Sequence, residues 1–260
     1  MIDEFLKINN WDKYGETMYN TNVINNLDLN DIRKMIEEQF GYEVDSLDLK
    51  DMKSIYDVYM VLQDGINNYR DERVQKFVRD DNNIHYVIFH AIPIDAFLRS
   101  RIDSKKARTF LSNKQFFIGS YSSDFEGLHN EVTLSRNRLF RNGIFEVVIS
   151  YENRGNVNVS NPMSKFEKFV NESLEVYDEL DISSPIVYFV TFTNVEGQEM
   201  ASEPGEFYTL TDSERNLLNP AGVAIKNKNQ ISDEIHNIFV PILNHFGKDE
   251  DYIFEETNGN

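Results

Sequence analysis

The apolar positions change period several times along the chain, and each change marks an element. After Asn30-Asp31, residues Ile32, Met35, Ile36 and Phe40 recur at helical spacing and Gly41 ends the run, which predicts a short amphipathic helix. Met52, Ile55, Tyr56, Tyr59, Leu62, Ile66 and Tyr69 fall three and four apart, predicting one long or two short helices over 51–79. Gly65 weakens that stretch by about 1 kcal/mol relative to Ala. Asp80 to Asn83 is a polar turn. Ile84 to Ile92 is almost continuously apolar, β-branched and aromatic, as a central strand buried on both faces requires, and Pro93 stops it. Residues 99–114 are polar and basic and read as a loop.

Strands are next predicted at Gln115–Gly119, Leu128–Ser135, Arg138–Arg141 and Ile144–Ser150, forming an antiparallel meander. Asn142-Gly143 supplies the two positive φ angles of a type I′ hairpin turn between the last two. Residues 151–163 read as a loop. Ser164 and Glu167 form a capping box for a helix that buries Phe166, Phe169, Val170, Leu174, Tyr177 and Leu180. Ser183-Ser184-Pro185 breaks it, and Ile186 to Phe192 is a second fully apolar strand. Residues 196–219 are acidic and irregular, Gly222–Ile225 is a short strand, and Ser232-Asp-Glu opens a last helix that Pro241 kinks or restarts. The expected organisation is a mainly helical segment over 1–80, an α+β domain with an antiparallel-rich sheet over 84–252, and an acidic frayed tail over 253–260. The two apolar strands offer a large sheet surface. Either residues 1–80 cover it, or an exposed apolar patch marks a partner site.

Composition narrows the chemistry. The chain has no cysteine, so disulfides, thiolate zinc sites and a cysteine nucleophile are excluded. Met1-Ile-Asp-Glu-Phe lacks the layout of a signal peptide, and no apolar run nears the roughly 20 residues of a membrane helix. A cytoplasmic protein with no membrane partner is the expectation. The net charge of −18 repels phosphate at long range. Nucleic acid would therefore need local basic patches, and there are two. One is Arg99, Arg101, Lys105, Lys106 and Arg108; the other is Arg136, Arg138 and Arg141 with Asn142 at the hairpin tip. These are the candidate binding residues, since exposed charged tips and loops on a rigid sheet gather recognition groups.

Catalytic patterns are sparse. None of His85, His90, His129, His236 and His245 stands four residues from another, as a helical metal pair would, and His85 and His90 fall on opposite faces of one strand. There is no Gly-x-Ser-x-Gly elbow and no phosphate-binding glycine loop. Asp45, Asp48 and Lys50 echo the spaced acids and lysine of a Mg²⁺ nuclease, without a strand pattern around them. No cofactor and no catalytic residue is assigned.

From Arg70 onward the chain resembles the C-terminal module of bacterial Schlafen-type AlbA_2 proteins, predicted to bind DNA and ATP. The resemblance is carried by Arg70-Asp-Glu-Arg-Val74, Phe89-His-Ala-Ile-Pro-Ile94, Phe125-Glu-Gly-Leu128 and Leu139-Phe-Arg-Asn-Gly-Ile-Phe-Glu-Val147. It continues through the helix at Phe166–Leu180, Pro185-Ile-Val-Tyr-Phe-Val-Thr191, Val195-Glu-Gly197 and the final helix reaching Phe246-Gly247, covering about 70–250. The AlbA_2 domain itself, with its glutamate-rich start and alanine–glycine segment, has no counterpart in 1–80. The resemblance implies an accessory or regulatory module, acting on another protein or on itself, in a bacterial or phage defence or anti-defence system. Two alternatives stay open: an acidic inhibitor that mimics DNA, and a metal-dependent nuclease with carboxylates from distant segments.

Overall fold

The computed structural model describes residues 24–40, 49–78, 84–97, 101–112, 114, 121–132, 135–152, 156–158, 160–182, 185–195, 199–201, 207–209, 217–218 and 220–245. They form an α+β fold with a large antiparallel sheet between two helical layers. The helices are α1 (Leu29–Phe40), α2 (Leu49–Gln75), α3 (Ser104–Leu111), α4 (Ser160–Glu179) and α5 (Ile231–His245). The long strands are β1 (Ile84–Pro93), β3 (Gly127–Val132), β4 (Ser135–Phe140), β5 (Phe145–Glu152) and β7 (Ile186–Thr193). Shorter strands are β2 (Ser122–Ser123), β6 (Asn156–Asn158), β8 (Glu199–Ala201), β9 (Phe207–Thr209), β10 (Leu217–Leu218) and β11 (Val223–Ile225). The main sheet runs β10-β7-β1-β5-β4-β3-β2, with β11 also on β7; β6, β8 and β9 make a small second sheet. Both β5 and β7 are antiparallel to β1, so they are parallel to each other with β1 between them. Helix α4 makes the crossover.

The apolar runs of β1 and β7 are explained by this central position. Every residue of β7 is buried. Val87, Phe89 and Ala91 point with Phe145, Val147, Tyr188 and Val190 toward Phe166, Phe169 and Tyr177 of α4 and Phe239 of α5. Each such ring contributes about 1.5–3 kcal/mol on burial. The alternate residues Ile92, Ile144, Val187 and Phe189 meet Ile32 and Ile36 of α1 and Val58, Leu62 and Ile66 of α2. Residues of the N-terminal helical segment thus cover the second face of the sheet. His85 and His90 do lie on opposite faces: His85 stacks on Tyr151 while His90 faces α2 and Glu146.

Several boundaries differ from the sequence reading. Helix α1 is capped by Asp28, whose carboxylate accepts from the Asn30 and Asp31 amides while Asp31 reaches back to the Asp28 amide. Within the expected 99–114 loop lies α3, with Asp103 as its N-cap and Ala107 and Leu111 buried one turn apart. Helix α4 starts at Ser160, ahead of Ser164, because Pro162 is tolerated in a first turn. The predicted 151–163 loop carries β6, and the 196–219 stretch carries β8, β9 and β10. Helix α5 continues through Pro241 as one helix. The predicted strand at 115–119 and the tail at 253–260 lie outside the described residues.

The β4–β5 turn also differs from the expected type I′. Gly143 has φ +92°, whereas Asn142 is not among the residues with positive φ. The Gly143 amide donates to Phe140 O (3.0 Å) and the Phe140 amide to Ile144 O (2.8 Å). This is a three-residue loop, a type I turn closed by a glycine bulge, which needs only one positive φ.

Candidate functional site

A line of polar side chains crosses the sheet on the face beneath α2. Register places His90 of β1 opposite Glu146 of β5, Glu146 opposite Arg138 of β4, and Arg138 opposite His129 of β3. Directly opposed side chains share a face, so the row is dictated by period two. Burial falls along it: His90 is fully enclosed, Glu146 nearly so, and Arg138 and His129 are half-buried. Arg73 of α2 descends onto the enclosed part. Its Nε and Nη2 donate to the two oxygens of Glu146 at 2.7 and 2.5 Å, a bidentate pair, and its guanidinium lies 4.9 Å from the centre of the Phe140 ring. His90 Nε2 is 3.3 Å from Glu146 Oε2. Burial alone would raise the Glu146 pKa, but the bonds from Arg73 and His90 outweigh it and hold the group at about 2. Its neighbour Arg70 is completely enclosed, 4.7 Å over the Phe189 ring and paired with Asp71. These are the Arg70-Asp-Glu-Arg and Phe-Glu-Val segments quoted above, now seen to meet. Their charges are closed against one another under a helix.

The exposed end of the row is built differently. Asp124 accepts from the Glu126 and Gly127 amides at 2.9 and 3.0 Å, folding residues 124–127 into a turn that joins β2 to β3. Gly127 has φ +156°, and a Cβ there would stand 2.1 Å from Leu139 O, so only glycine fits. Arg138 pairs with both Asp124 (3.2 Å) and Glu126, and Arg141 donates from Nη2 to Asp124 O at 3.0 Å. The Arg141 amide donates to Glu126 O at 2.9 Å. Desolvation would raise Asp124, but its backbone bonds and Arg138 hold it below the ordinary carboxylate value. This pinned turn presents Phe125, which is 82% exposed, more than any other large apolar residue described.

The two basic patches of the sequence meet here. The Ile102 amide donates to Arg141 O at 2.7 Å, and Gly143 packs beside Ile102, Ile182 and Pro93. That sets the start of α3 against the hairpin tip. Arg101, Lys105 and Arg108 are exposed and carry no ion pair among the described residues. Lys105 and Arg108 are three apart and share a helix face. Lys106 instead pairs with Asp181 at 3.2 Å. Arg136 pairs with Glu131 at 3.2 Å on the exposed sheet edge, and Asn142 sits in the turn, its Oδ1 3.4 Å from the Ile144 amide. Arg99 lies outside the described residues, as do Asp45 and Asp48. Phe125 is the residue that sequence reasoning missed. Its one signal is a lone ring between two acids before a glycine.

Two other polar places are less open. A cavity of about 270 Å³ lies between α4 and the Lys226–Lys228 segment, over Tyr177, Ile182 and Ile186. Its cations are already used, Lys226 by Asp28 and Asp31 and Lys228 by Glu175. At the far end of the sheet His85 stacks on Tyr151 (5.1 Å between centres), and Lys165 Nζ donates to the Tyr151 hydroxyl at 3.3 Å. Burial pushes the His85 pKa down to about 4. Among the described residues, no three His, Asp or Glu side chains are grouped to hold a metal ion, and no helix is long and apolar enough to cross a membrane. Compared with known proteins, the chain matches no family model, no curated protein and no solved structure.

Proposed function

We propose that this chain is a non-enzymatic interaction subunit that engages an acidic partner protein through the end of the sheet where α3 meets the β4–β5 hairpin. One observation carries the reading: in a chain of net charge −18, the exposed cations Arg101, Lys105 and Arg108 carry no ion pair among the described residues, with Asp103 acting on Lys105 only through space. Beside them Lys106 is closed by Asp181, and on the sheet Arg73 pairs with Glu146 and Arg138 with Asp124 and Glu126. A cationic end on an anionic body orients an acidic partner and raises its rate of encounter. The resemblance of residues 70–250 to the C-terminal module of AlbA_2 proteins supports an accessory role in a bacterial or phage defence or anti-defence system. An acidic mimic of DNA needs a free row of carboxylates, and Asp28, Asp31, Asp124, Glu126 and Glu175 are taken out of any such row by lysine or arginine. A nucleic-acid ligand is less favoured, because contact with about 6–10 phosphates calls for a comparable number of cations, and among the described residues this end offers three exposed ones without an ion pair.

The test is binding of a fluorescent polyglutamate peptide and of a single-stranded oligonucleotide of equal charge. The peptide is expected to bind at low salt, to weaken as salt rises, and to be lost with R101E/K105E/R108E. Binding that ignores those three substitutions removes the proposal. Binding of the oligonucleotide in preference to the peptide replaces it with nucleic-acid recognition.

A further inference from the structure

Phe125 gives the cationic end an apolar centre. From its position and its support we infer that the surface takes an acidic amphipathic segment of a partner protein, whose apolar stripe lies on Phe125 while its carboxylates meet Arg101, Lys105 and Arg108. The inference rests on the cationic docking proposed above and adds to it the anchor and the form of the partner.

The geometry is short-range and connected. The Glu126 carbonyl accepts from Arg141, and the Arg141 carbonyl accepts from Ile102. Each hydrogen-bonded step spans about 5 Å and the further residue at either end adds about 3.8 Å, so the Phe125 and Arg101 backbones lie within about 18 Å of each other. A helix of three to four turns spans that distance, so one segment can reach both. Lys105 and Arg108 continue the same cationic side along α3.

Exposure of a single ring is ordinary on a protein surface. Three features set this one apart. The backbone on both sides is fixed, by Asp124 accepting two amides, by Arg141 bonding to both Asp124 O and Glu126 O, and by a glycine whose φ of +156° no other residue adopts without strain. A ring held this way loses little entropy on docking, which is what makes an aromatic anchor effective. The two carboxylates flanking it are both bonded to Arg138, so they are not free to repel an acidic partner. Finally, the backbone links from Glu126 through Arg141 to Ile102 put the start of α3, with its exposed cations, at the same end of the sheet as the ring.

An anionic lipid surface also attracts rings and cations together. It is the less favoured occupant: Asp124 and Glu126 would approach the headgroups with the ring, and each lysine or arginine contributes only about 1 kcal/mol at such a surface. Three do not hold a body of charge −18 there.

The experiment compares three probes on the full chain: a helical peptide with leucines at i, i+3 and i+4 among glutamates, a glutamate-only peptide of equal length and charge, and phosphatidylglycerol vesicles. The amphipathic peptide is expected to bind at least about 30-fold more tightly than the glutamate-only peptide. F125A should abolish that preference, F125W should retain it, and R101E/K105E/R108E should lower both affinities. Equal binding of the two peptides, or a preference that survives F125A, overturns the anchor while leaving the cationic docking intact. Binding of neither peptide, or binding indifferent to the three charge reversals, overturns both. Vesicle binding that depends on Phe125 and exceeds peptide binding assigns the surface to lipid and overturns the inference. Because Phe125 is exposed and touches no core cluster, circular dichroism of F125A should match the parent chain, separating loss of binding from loss of fold.

Discussion

The two ends of one cross-strand row use the same residue types for opposite purposes. Under α2, Arg73 and His90 enclose Glu146, and little of that group reaches solvent. Toward the hairpin, Arg138 and Arg141 hold a turn, while Arg101, Lys105 and Arg108 beside it carry no ion pair among the described residues. The first arrangement is stable only when complete. The second is stable without its outermost charges, which leaves them free for a partner. Burial makes the difference, because a desolvated charge has a large cost if its partner is removed and a solvated one has almost none.

The largest expected effect breaks the enclosed end. E146A leaves the Arg73 guanidinium buried without its bidentate acceptor, and should destabilise the fold by about 3–5 kcal/mol in urea unfolding. Replacing both partners, R73M/E146L, should recover most of that loss, since apolar groups of similar volume need no counter-charge. A double variant no better than E146A would show that the pair does more than neutralise itself.

Acid should dissect the same end next. Glu146 is held at about 2 against an ordinary 4.5, so its contribution of about 3 kcal/mol is complete above pH 4.5 and lost as the pH falls toward 2. His85 is pushed to about 4 from 6.5 because its neutral form is the one buried. Its contribution, also about 3 kcal/mol, is complete above pH 6.5 and lost as the pH falls to about 4. Unfolding midpoints measured against pH should therefore fall in two overlapping stages. H85F should remove the upper stage and E146Q the lower. A single stage that H85F leaves in place would mean that His85 finds a partner on protonation.

At the hairpin end the backbone does the work that charge does under α2. G127A puts a Cβ against Leu139 O at a φ that alanine avoids, and should cost about 2–4 kcal/mol by thermal or urea unfolding. It should also weaken binding of the amphipathic peptide, because Phe125 then sits on a displaced turn. Unchanged stability would mean that the turn yields cheaply and is not a rigid mount.

How much of this contrast could be read beforehand depended on whether it was local. The apolar runs of β1 and β7 and the α2 stripe were legible because burial on both faces leaves a pattern in consecutive residues. Helix α3 was not, since eight residues with Ala107 and Leu111 as its buried positions imitate a basic loop. The hairpin was legible, but not its turn: Asn142-Gly143 serves a type I′ turn and a glycine-closed bulge alike, and packing of Gly143 on Ile102 and Ile182 is a tertiary fact. The site was only half visible. Arg101 and Arg138 look alike in sequence, yet register sets Arg138 opposite Glu146 and beside Asp124, whereas Arg101 lies outside the strands and carries no ion pair among the described residues. Phe125 is apolar in a strand-rich stretch, and its local signal, a lone ring between two acids before a glycine, is too weak to tell a buried ring from one at 82% exposure.

The smallest expected effect on stability is the one that sharpens the comparison most. Arg101, Lys105 and Arg108 carry no ion pair among the described residues, so R101E/K105E/R108E should leave the unfolding free energy within about 0.5 kcal/mol per site of the parent. K106A removes a pair with an exposed aspartate and should likewise change little, because such pairs are worth about 0–1 kcal/mol. If the fold needed these cations, the triple reversal would lower the urea midpoint as E146A does, and the hairpin end would be a second structural cluster. An unchanged midpoint together with lost peptide binding would show that charge here is held in reserve for another molecule, since a fold indifferent to three reversals does not depend on the charges it carries.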